Sequence, residues 1–427
     1  MACLRWRFGR RLVLTAILLV VTSTSAGCVV GTSRLGPVPP VSVPTLEGKA
    51  IQGRLKDIQW LAAELPRRHK NLFFSLSTAD YGKALDDLAR RAGGLSDWRF
   101  AVTLAQIVAK VGDAHTSVRV GPPSPGFGRL PVDFYAFSDG LWVTRAGRDF
   151  PQLLGTRLVR IGDTPADKAL ELAATVVSHE NEAWLRARAP VYLSIPEVLE
   201  GLGIVPDGKR VEMEFSKDGA TFTITLDRQE YNAIQWEDAA YPAWWGKEAV
   251  LSYSYLAAEK AFYIKYTSCS GDLSKDIDTI RRLLDEKHPT RIVFDMRRNT
   301  GGNSQVAQGL IKMLASRPEV KEPGRLFVLV GRETFSSAIL NSYDFKERTS
   351  ALFFGEPTGG KPNGYGEVKS AQLPYSGLTV GYSVKYFKMV EGDPPSLLPD
   401  QQIPLTAQDF FAGRDPVLDA ALAFKPR

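Results

Sequence analysis

The sequence predicts an α/β protein whose last third holds a parallel sheet. Apolar runs of strand length, RIVFDM, LFVLVG and ALFFG, alternate there with segments of helical periodicity. The first two runs are followed by turns rich in glycine or hydroxyl residues, RRNTGGNS and GRETFSS. Strands alternating with helices of this length build βαβ units, and such sheets gather their chemistry at the carboxyl ends of the strands. Both turns fall at such ends.

The chain opens on a leader. Arg5, Arg7, Arg10 and Arg11 precede an apolar run from Leu12 to Val21, and small residues follow up to Cys28. That is the layout of a secretory signal, and the run is too short for a comfortable membrane span. The segment SAGC, Ser25 to Cys28, resembles a bacterial lipobox, in which the cysteine is lipidated after cleavage. The expectation is an exported bacterial protein at the periplasmic or extracellular face, anchored through lipid on Cys28. Ordinary cleavage near Ala26, with Cys28 incidental, is the alternative.

Removing the leader changes the charge balance. The full chain carries 53 basic and 47 acidic residues; residues 1–27 hold four arginines and no acid, which leaves 49 against 47. A net +2 asks for neither nucleic acid nor an anionic surface. Cys3 leaves with the leader and Cys28 is the lipidation candidate, so Cys269 is the one remaining thiol. That excludes an intramolecular disulfide and a cysteine metal site.

The 400 mature residues (427 − 27) exceed one simple core, so several subdomains are expected. Residues 28–49 include Pro37, Pro39, Pro40 and Pro44 and read as an extended tether. Residues 50–116 read as helical. Leu55, Ile58, Leu61 and Leu65 share a face, Ser77 and Asp80 form a capping box, and a third helix carries Phe100, Leu104, Ile107 and Val111. Residues 117–235 break into short alternating runs and a hairpin around Asp218-Gly219, which suits a small β-rich module. Residues 236–427 form the α/β core. A helix with Ile277, Ile280 and Leu284 precedes RIVFDM, a second carries Leu310, Ile311 and Leu314, and a third opens near Ser336 or Ser337.

A serine at a helix start has backbone N–H groups and the positive end of the helix dipole beside it, an environment that stabilises an alkoxide or an oxyanion. Ser336 is therefore a candidate nucleophile, although a serine there commonly serves only as a cap, and Ser337 is chemically equivalent. Gly301 and Gly302 permit close backbone approach and can offer N–H groups to an oxyanion, or can make an ordinary helix-entry turn. A serine also needs a base. Of the four histidines, His69 lies at a helix end, His179 in an acidic helix-like stretch and His288 before a proline, whereas His115 in GDAHTSV stands between a helix and a strand. Lys361 lies in a glycine loop, where a solvated lysine is the ordinary reading. No histidine pair stands at metal-ligand spacing, so no metal and no cofactor are expected.

Four segments in order, GDAHTSV, IVFDMRRNTGG, VLVGRETFSSA and GEPTGGKPNGYGE, together with the closing PDQQIPLTAQDFFAGRDPVLDAAL, resemble the tail-specific, or C-terminal-processing, serine proteases. Relatives in that family include tricorn protease and the repeats of interphotoreceptor retinoid-binding protein. The resemblance covers most of residues 110–427. It implies a crotonase-like (ClpP-like) core behind an N-terminal helical region, and a shortened or degenerate PDZ module in LPVDFYAF through GTRLVRIGD, without an evident carboxylate-binding loop.

By the same resemblance Ser336, third in Thr334-Phe335-Ser336, is the nucleophile. Ser337 supplies one oxyanion N–H and Gly301 or Gly302 the other. The base divides the family. One branch uses a lysine in a GEPTxGK segment, matched by Lys361; the other uses a histidine in a DxHT segment, matched by Asp113 to Thr116. The reading preferred here is Ser336–His115–Glu367, with Lys361 as a neighbouring electrostatic or substrate contact. The implied substrate is a peptide or protein, cleaved through an acyl-enzyme. A binding or scaffold lipoprotein with a relict site is the alternative, and oligomeric state is left open.

Overall fold

The structure, a computed structural model, describes residues 48–246 and 249–426. The leader, Cys28 and the tether through residue 47 lie outside the described residues. No helix among the described residues is long and apolar enough to cross a membrane.

The architecture is mixed α/β. Its central sheet runs, in spatial order, Gln401–Gln402, Leu352–Gly355, Leu326–Val330, Arg291–Asp295, Ala261–Tyr266 and Leu251–Leu256. Every neighbouring pair is parallel except the last, where Leu251–Leu256 runs antiparallel at the edge. All five residues of Leu326–Val330 are buried, as a strand covered on both faces requires. Successive side chains take opposite faces. Ile292, Phe294, Val328 and Val330 pack with Ile280, Leu310, Leu314, Ala338 and Phe345 of the helices Ser274–Lys287, Gln308–Ala315 and Ser337–Arg348. Val293, Phe327, Leu329 and Phe354 pack with Val417 and Ala421 of the helix Pro416–Ala423 on the other face. The three apolar runs and the three helices read in the sequence are thus strands and helices of this layer.

The helices Lys49–Arg68, Thr78–Arg91 and Asp97–Ala109 form the N-terminal region. The Ser77 hydroxyl oxygen accepts from Asp80 N–H, and its O–H donates to the Asp80 carboxylate at 2.6 Å, the local reason the second helix starts there. One boundary differs from the sequence reading. The hairpin Gly364–Gln372 and Thr379–Phe387 pairs with Ser117–Val118 in a separate three-stranded sheet, and Leu373, Leu378, Val380 and Tyr382 pack with Leu61 and Leu104. Buried Asp57 accepts the Tyr375 and Ser376 N–H groups at the hairpin turn. Part of residues 236–427 therefore folds onto the N-terminal helices, because its apolar face finds cover there.

The middle segment is a seven-stranded, mainly antiparallel sheet whose main path is Val132–Phe137, Gly140–Gly147, Arg157–Ile161, Arg210–Lys217 and Ala220–Asp227. Asp218 (φ 51°) and Gly219 (φ 84°) make its tight hairpin turn. The same segment also holds the helices Ala166–Ala174, Glu182–Tyr192 and Pro196–Leu202, beyond what a β-rich reading describes. Their short apolar faces, Ala169, Ala173 and Leu199, join the sheet's core.

Candidate catalytic site

The strand Leu326–Val330 ends in a turn held from within. Thr334 Oγ1 accepts from Gly331 N–H and donates to the Met296 carbonyl, and Phe335 N–H donates to the Asn299 carbonyl. These bonds leave Ser336 at φ 54°, ψ −124°, immediately before the helix Ser337–Arg348. A non-glycine residue in that region is strained, a feature that concentrates at functional sites. Ser336 occupies the cap position yet makes no capping hydrogen bond. Its Oγ lies instead 3.0 Å from His115 Nε2.

His115 is placed from three sides. Its ring stacks on Phe335 at 4.5 Å, and Phe335 stacks on Trp184 at 4.0 Å. Its backbone N–H donates to Asp113 Oδ1 at 2.9 Å, and its Nδ1 lies 3.7 Å from the same oxygen. Asp113 is fully buried. Its Oδ2 accepts from Thr116 Oγ1 at 2.5 Å, Ser383 Oγ at 2.7 Å and His69 Nε2 at 3.0 Å. His69 Nδ1 accepts from Asn71 N–H, so Nε2 carries the proton that His69 donates to Asp113. Burial alone would raise the Asp113 pKa, but the hydrogen bonds from His115, His69 and Thr116 hold it well below the usual carboxylate range. Asp113 is thus a fixed anion beside the His115 ring. His69 was read only as a helix-end residue, and its link to Asp113 rests on a contact 44 positions long.

The glycine turn faces Ser336 from the next strand. Gly301 (φ 102°) and Gly302 (φ 135°) both adopt backbone that side chains avoid. A Cβ on Gly301 would lie 2.7 Å from Ser336 Cβ, and one on Gly302 would lie 2.3 Å from the Cys269 carbonyl oxygen. The two N–H groups differ. Gly301 N–H donates to Asn299 Oδ1 at 2.9 Å and is spent within the turn. Gly302 lines the cleft, as does Ser337 at the first turn of its helix. Ser337 Oγ donates to the Gly302 carbonyl at 2.6 Å, clasping the turn to the helix. Of the two glycines considered for an oxyanion donor, the geometry favours Gly302.

The other two sequence candidates lie elsewhere in the cleft. Lys361 Nζ donates to Asp393 at 2.7 Å, and no hydrogen bond joins it to Ser336. Glu367 (φ 57°) has an exposed side chain whose carboxylate lies 3.8 Å from Lys385 Nζ. It does not hydrogen-bond His115, whose buried Nδ1 has no hydrogen-bond partner. The expected orienting contact between Glu367 and His115 is therefore not made: Glu367 lines the cleft with an exposed side chain. The carboxylates grouped with His115 are Asp113 and Glu180, one ligand atom from each of the three residues lying within 4.8 Å of the others. Burial, with the Asp113 charge, raises the Glu180 pKa to about 7. Glu180 precedes Asn181, which caps the helix Glu182–Tyr192 and donates to the Thr358 and Gly359 carbonyls. No motif marks Glu180; only the fold brings it to the cleft.

The cleft measures about 540 Å³. Phe335, Ile339, Leu340, Val368 and Phe387 supply an apolar wall opposite the polar groups. A serine hydroxyl in contact with a histidine nitrogen, in a cleft with an apolar wall, is an arrangement that suits acyl transfer.

No protein-family model matches the chain, and no curated protein matches it. Among solved structures, mature CPAF complexed with lactacystin is similar with a TM-score of 0.65 at 13% identity, over 88% of this chain and 98% of CPAF. A CPAF mutant gives 0.62 at 13% identity, over 88% and 97%. Lower similarities reach the photosystem II D1 C-terminal processing protease, at 0.41 and 14% identity over 84% of this chain and 94% of that one, and tricorn protease, at 0.42 and 15% over 88% and 36%. These neighbours lie in the tail-specific protease family that the sequence motifs resemble. The chain shares its mixed α/β fold with CPAF.

Proposed function

We propose that this chain is an exported serine endopeptidase that cleaves peptides or proteins through an acyl-enzyme on Ser336. The observation that carries the reading is the 3.0 Å contact between Ser336 Oγ and His115 Nε2. Neutral His115 takes the Ser336 proton at Nε2 as Oγ attacks the substrate carbonyl carbon. The Ser337 and Gly302 N–H groups receive the oxyanion. The imidazolium, balanced by the Asp113 anion, then gives its proton to the leaving amine, and water activated at the same nitrogen hydrolyses the ester. Lys361, paired with Asp393, contributes charge at the cleft edge rather than a base.

In this reading the core is crotonase-like and residues 117–235 are a shortened PDZ-like module. The leader directs export to the periplasmic or extracellular face, and lipid on Cys28 holds the protein at a membrane. The deciding experiment treats wild type and Ser336→Ala with a fluorophosphonate probe and a peptide library. Labelling and cleavage by wild type alone are expected. A wild-type protein that binds peptides but is never labelled would instead be a binding or scaffold lipoprotein with a relict site.

A further inference from the structure

His115 Nδ1 is buried without a hydrogen-bond partner, while Nε2 is engaged by Ser336. Nδ1 lies 3.7 Å from Asp113 Oδ1, and His115 groups with two carboxylates, Asp113 and Glu180, one ligand atom from each of the three lying within 4.8 Å of the others. Asp113 is braced for such a role. Three donors hold its Oδ2, leaving Oδ1 toward His115 with a single short hydrogen bond, from the His115 backbone N–H. His115 and Glu180 both line the cleft.

We propose that Asp113, His115 and Glu180 form an inhibitory site for a divalent transition-metal ion of the zinc type. Imidazole and carboxylate oxygens are ordinary zinc ligands at 2.0–2.2 Å, and tetrahedral ligands at that radius lie about 3.4 Å apart. The 3.7 Å between Nδ1 and Asp113 Oδ1 is close to that value, and Glu180 belongs to the same group within 4.8 Å, so its carboxylate closes in when the ion binds. Two carboxylates neutralise the ion's charge, and cleft water completes the set. Sequence spacing could not reveal this site, because its members come from two distant segments.

The consequence for catalysis rests on the function proposed above. Metal on Nδ1 uses that nitrogen's lone pair, so the neutral ring must carry its proton on Nε2. The His115 ring then donates toward Ser336 and can no longer accept its proton. The metal form is inactive, and chelation restores the free base.

The test separates binding from inhibition. Zinc is titrated calorimetrically into metal-free Ser336→Ala protein, which keeps all three ligands, and cobalt is used for its visible ligand-field bands. One site of micromolar or tighter affinity is expected. Glu180→Gln and, independently, His115→Gln in the same background should each weaken it tenfold or more while circular dichroism stays unchanged. Absence of binding, or equal affinity in both variants, overturns the site. In wild type, zinc should suppress fluorophosphonate labelling and a chelator should restore it. Zinc binding that leaves labelling intact overturns the inhibition. A wild type that is never labelled disproves the peptidase reading alone, since the calorimetric result stands without it.

Discussion

Ser336 Oγ and His115 Nε2 lie 3.0 Å apart although 221 positions separate them in the chain. The serine sits at a strand–helix junction of the central sheet, and the histidine leads into a strand that pairs with the Thr379–Phe387 hairpin arm. The Phe335 ring, next to the serine, stacks on the histidine. His115→Ala should lower kcat by roughly a hundred- to ten-thousand-fold, whereas Lys361→Ala should stay within about threefold, the scale of a lost surface ion pair. Steady-state peptide hydrolysis decides it; an inactive Lys361→Ala with an active His115→Ala would make lysine the base.

The clasp from Ser337 Oγ to the Gly302 carbonyl joins the two elements whose N–H groups are proposed to receive the oxyanion. Ser337→Ala should reduce kcat about tenfold with little change in KM, the rate equivalent of one net hydrogen bond. Gly302→Ala should be far more damaging, because its Cβ meets the Cys269 carbonyl oxygen at 2.3 Å. Equal kcat for Ser337→Ala and wild type would remove the clasp from the mechanism.

Asp113 rather than Glu367 is the anion fixed beside the His115 ring. Asp113→Asn should cost about a hundredfold or more in kcat, since the amide neither balances the imidazolium nor keeps its tautomer. Glu367→Ala, at an exposed side chain, should leave kcat within about threefold. The reverse order would restore the role that the family resemblance implies for Glu367.

Cys269 is buried, and burial pushes its thiol up to about 11. At pH 8 only about a thousandth of it is thiolate. A mature protein carrying Cys28→Ser should show no reaction with Ellman's reagent when native, and one thiol per chain in denaturant. A fast native reaction would mean that the turn under Gly302 opens in solution.

Cys28→Ser also tests the anchor. The lipid reading expects wild type in the detergent-extractable membrane fraction and the variant in the soluble fraction. Identical fractionation would leave ordinary cleavage near Ala26 as the better account.

Local chemistry was legible in the sequence wherever it is short-ranged. Apolar runs of strand length announced Arg291–Asp295, Leu326–Val330 and Leu352–Gly355, and the Ser77/Asp80 pair announced a helix start. The TFSS turn and the DAHT segment nominated Ser336 and His115 through their match to the family's motifs, since a serine at a helix start is ordinarily a cap. The tertiary structure alone decided which candidates meet. Gly301 spends its N–H on Asn299, Lys361 turns to Asp393 and Glu367 lies toward Lys385. Glu180 and His69 converge on Asp113 and His115 with no motif to foretell it. The physical reason is range. Periodicity and caps depend on neighbours within a few residues, whereas a buried carboxylate collects its donors from wherever the packed layers bring them.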